Sequence, residues 1–202
     1  MKTKITSLIA SVLLMAASAG AATFSQTTFD NLNAAYNGES NAHNRYLAFA
    51  QKADSEGNAQ VAKLFRAAAR AEDIHRNNHK EVILKAGGTL DEKPLETVTI
   101  GTTAENLAAA IKGESYERDT MYPGFISTAR NEGAREAVRT FQFAVAAEKE
   151  HAALYQKALD QLGNNEAATY YVCTVCGNTL VARPSEKCPV CRQPSDKFIV
   201  VD

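Results

Sequence analysis

The sequence predicts an all-α main domain, a four-helix bundle with one long crossover, followed by a small C-terminal metal-binding module. Three observations predict this fold class. Apolar residues recur at steps of three and four through four segments, a stretch over residues 88–102 interrupts that period, and all four cysteines lie between positions 173 and 191. The length of 202 residues, with 45% hydrophobic and 22% charged residues, suits one main domain with a small appendage.

The charge of the chain argues against one class of partner. The formal net charge is -1, and the basic residues do not cluster along the sequence. Such a chain has no electrostatic attraction for nucleic acid or for an anionic membrane surface. We therefore expect no nucleic-acid partner, and the function must come from specific sites.

The first residues resemble an export signal that is cleaved. Two lysines precede a largely apolar run over residues 5–17, and small residues at positions 19–21 offer a cleavage site. We expect removal near Ala21 or Ala22 and a periplasmic mature protein that is not attached to a membrane. An uncleaved membrane anchor is the alternative, although the apolar run is short and contains several Ser and Thr residues. The predicted segments are a signal peptide over 1–22, a helical bundle over 23–165 and a cysteine module over 166–202.

The first two predicted helices carry polar residues on their inner faces. In the first helix, Glu39 interrupts an apolar stripe formed by Leu32, Ala35, Ala42, Tyr46, Phe49 and Ala53. The stripe of the second helix consists of Val61, Phe65, Ala68, Glu72, His75, His79 and Val82. Gly57-Asn58 separates the two helices, and Gly87-Gly88 ends the second. Both helices therefore present acidic or imidazole side chains to the core.

The third and fourth predicted helices repeat this arrangement. Thr102 and Glu105 form the pattern of a capping box that opens the third helix, and Pro123 predicts a kink within it. The inner stripe of the third helix is predicted as Leu107, Ile111, Glu114, Glu117 or Arg118, Met121 and Phe125. The fourth helix begins after Gly133, and its stripe is predicted as Val138, Phe141, Val145, Glu148, His151 or Ala152, Tyr155 and Leu162.

The two helical hairpins are copies of one another. Gly38-Glu39-Ser40 recurs as Gly113-Glu114-Ser115, and the Glu72-x-x-His75 motif recurs as Glu148-x-x-His151, so the two patterns return at almost the same offset along the chain. Within each hairpin the turn divides the stretch between the single glutamate and the motif almost evenly. Because each residue adds ~1.5 Å to a helix, the two arms span equal heights. All four motifs should meet in one layer.

That layer requires cations. Five glutamates and two histidines would converge in an apolar interior, where an unpaired carboxylate costs several kcal/mol. These residues are Glu39, Glu72, Glu114, Glu117, Glu148, His75 and His151. One Glu from each of two helices and Glu-x-x-His from each of the other two is the ligand pattern of two-metal carboxylate bundles that hold iron or manganese. His43 and His79 lie one turn from motif residues. Either could support a metal ligand from behind, but both are interpreted as ordinary bundle histidines.

The cysteines form a second metal site. Cys173-x-x-Cys176 and Cys188-x-x-Cys191 use every cysteine of the chain, with eleven residues between the pairs. Two chelating turns of this kind are typical of a tetrahedral thiolate site. Because zinc and mononuclear iron share this geometry, the spacing leaves both open, and two disulfides are a third alternative in an oxidising compartment.

The motifs resemble those of one family. The Tyr171-Val-Cys-x-x-Cys-Gly and Cys-Pro-x-Cys segments resemble a rubredoxin module, and the whole mature chain resembles rubrerythrin. Gly38-Glu-Ser-x-Ala-x-Asn-Arg-Tyr46, Glu114-x-x-Glu117 and Met121-Tyr-Pro123 strengthen the resemblance. It implies a ferritin-like bundle, a non-haem di-iron centre that reduces hydrogen peroxide, and a mononuclear iron at the four cysteines that supplies electrons. It also implies a head-to-tail homodimer, in which the cysteine site of the neighbouring subunit would supply the electrons.

The resemblance assigns roles to individual residues. Glu39, Glu72, Glu114, Glu117, Glu148 and His151 would be iron ligands, with His75 and Glu117 alternating on one iron between redox states. The catalytic assignments are Glu117, which matches Ala42 in the duplication and so makes the two irons inequivalent, and Tyr46 and Tyr122 as hydrogen-bond donors to the ligands. The alternative for both tyrosines is a place in the bundle core. The export signal and a short gap from His151 to Cys173 differ from the usual family pattern.

Two other functions compete with peroxide reduction at this point. The bundle could oxidise and store ferrous iron, as ferritins do, or the chain could be a metal-binding electron-transfer protein without catalysis. The sequence does not identify the physiological electron donor.

Overall fold

The bundle consists of four helical arms. The computed structural model describes residues 24–202, so the predicted signal peptide over 1–22 lies outside the described range. The arms are α1 (Gln26–Ser55), α2 (Ala59–Lys85), a third arm built of α3 (Thr103–Tyr116), a π-helical turn (Glu117–Met121) and α4 (Tyr122–Asn131), and α5 (Arg135–Asp160). No helix within residues 24–202 is long and apolar enough to cross a membrane.

The helix ends follow the sequence signals. The Thr102 hydroxyl accepts a hydrogen bond from the Glu105 amide, and the Glu105 carboxylate accepts one from the Thr102 amide, which confirms the capping box. Asn33, Asn37 and Asn41, one turn apart on α1, bind backbone groups of the crossover between α2 and α3. This ladder of amides holds the long connection against the bundle.

The third arm differs from its prediction. A single helix kinked at Pro123 was expected, whereas a π-helical turn over Glu117–Met121 divides the arm just before that proline. A π turn accommodates one extra residue. The duplication shows the same residue: the offset is 75 between Glu39 and Glu114 but 76 between Tyr46 and Tyr122.

The π turn also changes which residues face the core. Beyond it, the buried residues are Tyr122, Ile126 and Ala129, whereas the predicted Met121 and Phe125 are only half-buried. In α5 the fully buried alanines are Ala137, Ala144 and Ala147, whereas the predicted Val138 and Val145 are half-buried. Leu162, just beyond the end of α5, and Val82 in α2 are half-buried as well. Small residues sit deepest because the helices approach closely there.

Two aromatic clusters enclose the polar layer. The first contains Tyr46, Phe49, Phe65 and Tyr155, and the second contains Tyr122, Phe125, Phe141 and His79. The offset that relates Tyr46 to Tyr122 also relates every other member of the first cluster to a member of the second. Each fully buried ring contributes ~1.5–3 kcal/mol to stability. The polar residues between them are therefore held in a rigid, dry environment.

The C-terminal module is a small antiparallel sheet. Its strands are β1 (Tyr170–Cys173), β2 (Thr179–Leu180) and β3 (Phe198–Val201), in the order β2-β1-β3. Tyr170 and Val172 of β1 are buried in the same core as α2 and α5. The side chain of Gln60 accepts a hydrogen bond from the Ala168 amide and donates one to its carbonyl oxygen. These contacts fix the module on the bundle of its own chain.

Candidate metal centres

The acidic and imidazole residues meet in one buried layer. Glu39 comes from α1, Glu72 and His75 from α2, Glu114 from α3, and Glu148 and His151 from α5. Each of the six is at most 1% exposed. The four arms therefore place these motif residues at the same height in the bundle, as the duplicated spacing predicts.

Each histidine turns one ring nitrogen toward this layer. His75 Nδ1 lies 2.8 Å from Glu72 Oε2 and 3.3 Å from Glu148 Oε1. His151 Nδ1 lies 3.1 Å from Glu148 Oε2 and 3.2 Å from Glu72 Oε1. Both imidazoles therefore present the same nitrogen to the two carboxylates between them.

The donor atoms divide into two overlapping groups. One group consists of Glu39, Glu72, His75 and Glu148, and the other of Glu72, Glu114, Glu148 and His151, with the donor atoms of each group within 4.8 Å of one another. Glu72 and Glu148 belong to both groups. The arrangement suits two metal ions that share these two carboxylates. One further glutamate and one histidine would complete the ligands of each ion.

The electrostatics of the layer favour cations. Burial, followed by the neighbouring carboxylate of Glu72, raises the pKa of Glu39 and of Glu148 well above the usual range. Burial opposes ionisation of Glu72 as well, but His151 and His75 lower its pKa to about 2. Burial alone would lower the pKa of His151, but the carboxylates of Glu72 and Glu114 raise it well above 6.5. Divalent cations would offset the cost of burial and allow these carboxylates to ionise.

Three carboxylate oxygens test whether metal fits. Glu39 Oε2, Glu114 Oε2 and Glu148 Oε1 are buried and have no hydrogen-bond partner within residues 24–202. A buried polar atom without a partner costs about 1–3 kcal/mol, and more if charged. All three belong to the two donor groups. Divalent ions would satisfy them, so the residues present fit a two-metal centre.

Two tyrosines bind the outer ligands in a crossed arrangement. Tyr46 on α1 donates a hydrogen bond of 2.7 Å to Glu114 Oε1, and Tyr122 on α4 donates one to Glu39 Oε1. Both rings are at most 2% exposed. Each tyrosine therefore orients the glutamate supplied by the opposite hairpin.

Glu117 lies apart from both donor groups. It is the first residue of the π-helical turn and is half-buried, whereas the six layer residues are fully buried. Burial and the nearby carboxylates of Glu114 and Glu72 raise its pKa well above the usual range. In this structure His75 occupies the layer, and the predicted alternation of Glu117 with His75 stays a prediction.

The four cysteines surround a second centre. Cys173 Sγ lies 3.7 Å from Cys191 Sγ, and Cys176 Sγ lies 3.6 Å from Cys188 Sγ. A tetrahedron with metal–sulfur bonds of ~2.3 Å has edges of about 3.8 Å, whereas a disulfide would bring the sulfurs to ~2.05 Å. The spacing matches a tetrahedral thiolate site. Hydrogen bonding from the Cys176 thiol, together with backbone amides, lowers the pKa of Cys173 to about 5, whereas burial raises the pKa of Cys191 to about 11.

Two equivalent turns aim the cysteines inward. After each second cysteine the backbone enters the left-handed region, at Gly177 with φ 76° and at Arg192 with φ 63°. The Gly177 amide donates to the Cys173 carbonyl at 2.9 Å, and the Arg192 amide donates to the Cys188 carbonyl at 3.1 Å. The second turn accommodates a side chain, so a left-handed backbone does not by itself require glycine here.

Gly177 is required by a contact with the bundle. A Cβ atom at this position would lie 2.2 Å from Nε2 of His75. That nitrogen instead lies 3.1 Å from the Cys176 carbonyl oxygen, and Nε2 of His151 lies 3.0 Å from the Thr179 hydroxyl. Each layer histidine thus faces the carboxylates with one nitrogen and the cysteine module with the other. Of the two histidines, His75 alone therefore contacts both the carboxylate layer and the backbone of a cysteine of the second centre.

Comparison with known proteins identifies this combination of sites. The rubrerythrin family model matches residues 30–159, and the model described as the rubredoxin-like domain of rubrerythrin matches residues 171–199. The chain belongs to the rubrerythrin family. Rubrerythrin-2 of Clostridium acetobutylicum is 39% identical over 176 residues, covering 85% of this chain and 95% of that protein. Nigerythrin of Nitratidesulfovibrio vulgaris is 35% identical over 172 residues, covering 85% of each chain.

Solved structures agree with this assignment. A structure of nigerythrin in its fully reduced, all-ferrous state has a TM-score of 0.78 at 34% identity and covers 91% of both chains. Membership in this family confirms the predicted ferritin-like bundle with its rubredoxin-like module, the di-iron centre and the four-cysteine centre. A bacterioferritin of Mycobacterium tuberculosis, with a TM-score of 0.63 at 22% identity, shares the fold of the bundle alone.

Some residues at the site carry no recognisable sequence motif. Thr179 and the Cys176 carbonyl contact the layer histidines from the module, which is distant in the chain. The expectation that His79 is an ordinary bundle histidine did not identify its partners, Tyr122 and Thr140. The sequence did contain one signal for these contacts, because His79 corresponds to the aromatic Tyr155 in the duplication. His43 contacts the Ala69 carbonyl and belongs to none of the donor groups.

Proposed function

We propose that this member of the rubrerythrin family is an oxidoreductase that reduces hydrogen peroxide to water at the di-iron centre, in defence against oxidative stress. The observation that carries the proposal is the position of His75. Its Nδ1 atom faces the bridging carboxylates, and its Nε2 atom contacts the backbone of a cysteine of the second centre. The di-iron centre must be reduced again after each turnover, and the contact through His75 would give it a path for electrons from the cysteine centre.

The chain's own residues define what the site can do. Glu72 and Glu148 would bridge two irons, Glu39 and His75 would complete one, and Glu114 and His151 the other. Bound iron supplies electrons and Lewis acidity to the oxygen–oxygen bond of the substrate. The two aromatic clusters exclude water, which strengthens the electrostatic effect of each ligand. Tyr46 and Tyr122 hold the outer glutamates in fixed orientations.

The same contacts support electron delivery within one chain. The module lies on α2 and α5 of its own bundle, with the Asn78 side chain donating to the Val175 carbonyl at 2.9 Å and Arg66 Nε donating to the Asp202 carbonyl at 2.7 Å. The four cysteines would hold the mononuclear iron, and His75 contacts this site from the bundle of the same chain, so a second subunit would not be needed for electron delivery. The head-to-tail homodimer is proposed as an assembly, and an external reductant of unknown identity as the donor.

The test of function compares two oxidants. The mature protein is loaded with iron, analysed for metal, reduced anaerobically and mixed with hydrogen peroxide or dioxygen in a stopped-flow spectrometer. We expect iron at both centres and oxidation by peroxide at least ten times faster than by dioxygen. Faster oxidation by dioxygen with accumulation of ferric mineral would support iron storage instead. Zinc at the cysteines would support a role in metal binding without catalysis.

The proposed location has a separate test. The lysines and apolar run at the N-terminus support export and cleavage near Ala21 or Ala22. Fractionation of the native host should recover the protein in the periplasm, with an N-terminus at one of these positions by mass spectrometry. Recovery of the intact chain in the membrane fraction would favour the uncleaved anchor.

A further inference from the structure

A chain of buried hydrogen bonds leads away from the di-iron centre. Tyr122, which donates to Glu39 Oε1, has its hydroxyl oxygen 3.2 Å from His79 Nε2. On the other side of the same ring, His79 Nδ1 lies 3.0 Å from the Thr140 hydroxyl. Tyr122 and His79 are fully buried, and Thr140 is 4% exposed. The chain joins α1, α4, α2 and α5 and contains no gap longer than a hydrogen bond.

Donor and acceptor chemistry fixes the direction of every bond. With metal bound, Glu39 is an ionised carboxylate that can only accept, so the Tyr122 hydroxyl proton points to it. The Tyr122 oxygen must then accept from His79, which places the imidazole proton on Nε2. Nδ1 is left as an acceptor, and the Thr140 hydroxyl donates to it. All three protons therefore point the same way, from Thr140 toward Glu39.

The outer end of this chain lies beside a cavity. Thr140 lines a cavity of about 230 Å³ between α2 and α5. The cavity is large enough for several waters, and its wall carries charged side chains that can exchange protons with them. These side chains are Glu81, Lys85, Glu136 and Arg139. The hydrogen-bonded chain thus leads from a cavity with charged walls to the buried metal centre.

The other half of the duplication lacks such a chain. The offset that relates the two aromatic clusters pairs His79 with Tyr155 and Thr140 with Leu64. The Tyr155 hydroxyl has no hydrogen-bond partner within residues 24–202, and Leu64 is an apolar residue that is 1% exposed. On the Tyr46 side, therefore, no continuous path of hydrogen bonds leads away from the layer within the described residues. The pair of His79 and Thr140 therefore has no equivalent in the other half of the duplication.

We propose that Thr140, His79 and Tyr122 form a proton relay that carries protons from the cavity to Glu39 at the di-iron centre. The relay deepens the peroxidase function proposed above, because reduction of one hydrogen peroxide breaks the oxygen–oxygen bond and consumes two protons and two electrons to give two waters. The electrons come from the reduced iron sites. The relay supplies protons, which Glu39 passes to the oxygen that leaves as water.

His79 acts in this relay as a neutral carrier. Burial, with a further contribution from His75, lowers its pKa to about 3. The ring therefore accepts a proton at Nδ1 only as it releases one from Nε2. Rotation of the two hydroxyls and a flip of the imidazole restore the starting arrangement. His79, Tyr122 and Thr140 are positioning and proton-transfer residues that need not bind metal.

The first test measures proton exchange without turnover. In zinc-loaded protein, which is diamagnetic, ¹⁵N nuclear magnetic resonance of the histidine side chains should show the Nε2–H form of His79. Replacement of Thr140 by Val, which keeps a branched side chain, should slow exchange of that proton with water at least tenfold, and Thr140→Ser should restore it. A merely structural role predicts the reverse, since loosened packing speeds exchange. An Nδ1–H form, or exchange unchanged by Thr140→Val, would overturn the relay.

The second test uses peroxide. Oxidation of the reduced iron-loaded protein should be at least fivefold slower in Thr140→Val, with a larger solvent deuterium isotope effect, and restored in Thr140→Ser. Tyr155→Phe, on the half without a chain, is the matched control and should match the wild type. If Thr140→Val slows proton exchange but no variant or wild type reduces peroxide, the relay stands and the proposed function fails. Equal peroxide rates in Thr140→Val and wild type would reject the relay alone.

Discussion

The two hairpins of the bundle hold their metal-ligating glutamates in the same way, but the residues around those glutamates differ. Tyr46 holds Glu114, and Tyr122 holds Glu39. The helix ends show the same symmetry: Glu56, which follows α1, accepts a hydrogen bond of 2.6 Å from Thr103, and Glu132, which follows α4, accepts one of 2.6 Å from Thr28. Stability and ligand placement therefore follow the duplication.

The differences lie in residues that affect chemistry. The π-helical turn places Glu117 where the first hairpin has Ala42, and the pair His79 and Thr140 replaces Tyr155 and Leu64. Both differences introduce polar groups close to the layer. A symmetric scaffold can hold two metals, whereas distinguishing between them requires that the symmetry be broken.

The largest expected effect comes from the extra carboxylate. Glu117→Ala should keep most iron binding, since Glu117 lies outside both donor groups, yet lower peroxide turnover by about 10- to 100-fold. Metal analysis and steady-state peroxide kinetics measure the two properties. Glu117→Gln separates charge from size and should resemble the Ala variant. Unchanged turnover would remove Glu117 from the mechanism and leave the two halves chemically equivalent.

The contact between the two centres should be the next most sensitive. Gly177→Ala places a methyl group against His75 and should slow re-reduction of the oxidised di-iron centre by about tenfold, because the module is pushed from the bundle. Thr179→Val removes only the hydroxyl that contacts His151 and should cost about threefold. Arg192→Ala, in the equivalent turn, is the control. Equal rates in Gly177→Ala and wild type would exclude electron flow by this contact.

A mixing experiment distinguishes delivery within a chain from delivery between chains. A Cys188→Ser chain and a Glu148→Ala chain are co-expressed with different tags, and the mixed species is purified. Delivery within one chain predicts less than about a tenth of wild-type turnover in the mixed species, because no single chain carries both centres intact. Recovery of about half the wild-type turnover would show that the partner subunit supplies the electrons. Light scattering of the purified protein tests the dimer itself.

The two tyrosines should respond unequally. Tyr46→Phe removes one hydrogen bond to a ligand and should lower peroxide turnover by about twofold, whereas Tyr122→Phe also breaks the relay and should lower it by about tenfold. The ratio of the two effects, measured under identical iron loading, is the informative quantity. A ratio near one would indicate that both tyrosines only orient their glutamates.

The smallest effects are expected at the two helix ends. Hydrogen bonds from Thr103, together with Lys52, lower the pKa of Glu56 to about 2, and hydrogen bonds from Ser25 and Thr28 lower that of Glu132. A depressed pKa stabilises the fold above the unfolded value near 4.5, and this stabilisation disappears as the pH falls toward about 2. Glu56→Gln and Glu132→Gln should each lower the melting temperature of metal-free protein by roughly 2 °C at pH 7. Equal losses at pH 7 and pH 3 would contradict this assignment.

The sequence by itself determined the bundle, the layer and the cysteine site. A helix repeats its geometry at every turn, so Glu39, Glu72, Glu114 and Glu148 had to meet once their spacing from each turn matched. Paired cysteines two residues apart likewise chelate by local geometry. The capping box at Thr102 and the crossover over 88–102 are local signals of the same kind.

Only the tertiary structure decided how these parts act on one another. The π-helical turn moved the inner stripe of the third arm from Met121 to Tyr122 and left Glu117 outside both donor groups. The contact of His75 with Cys176 and the path from Thr140 through His79 to Tyr122 join residues that are far apart in the chain. Such contacts depend on the packing of whole helices and on the docking of the module, which no local pattern specifies.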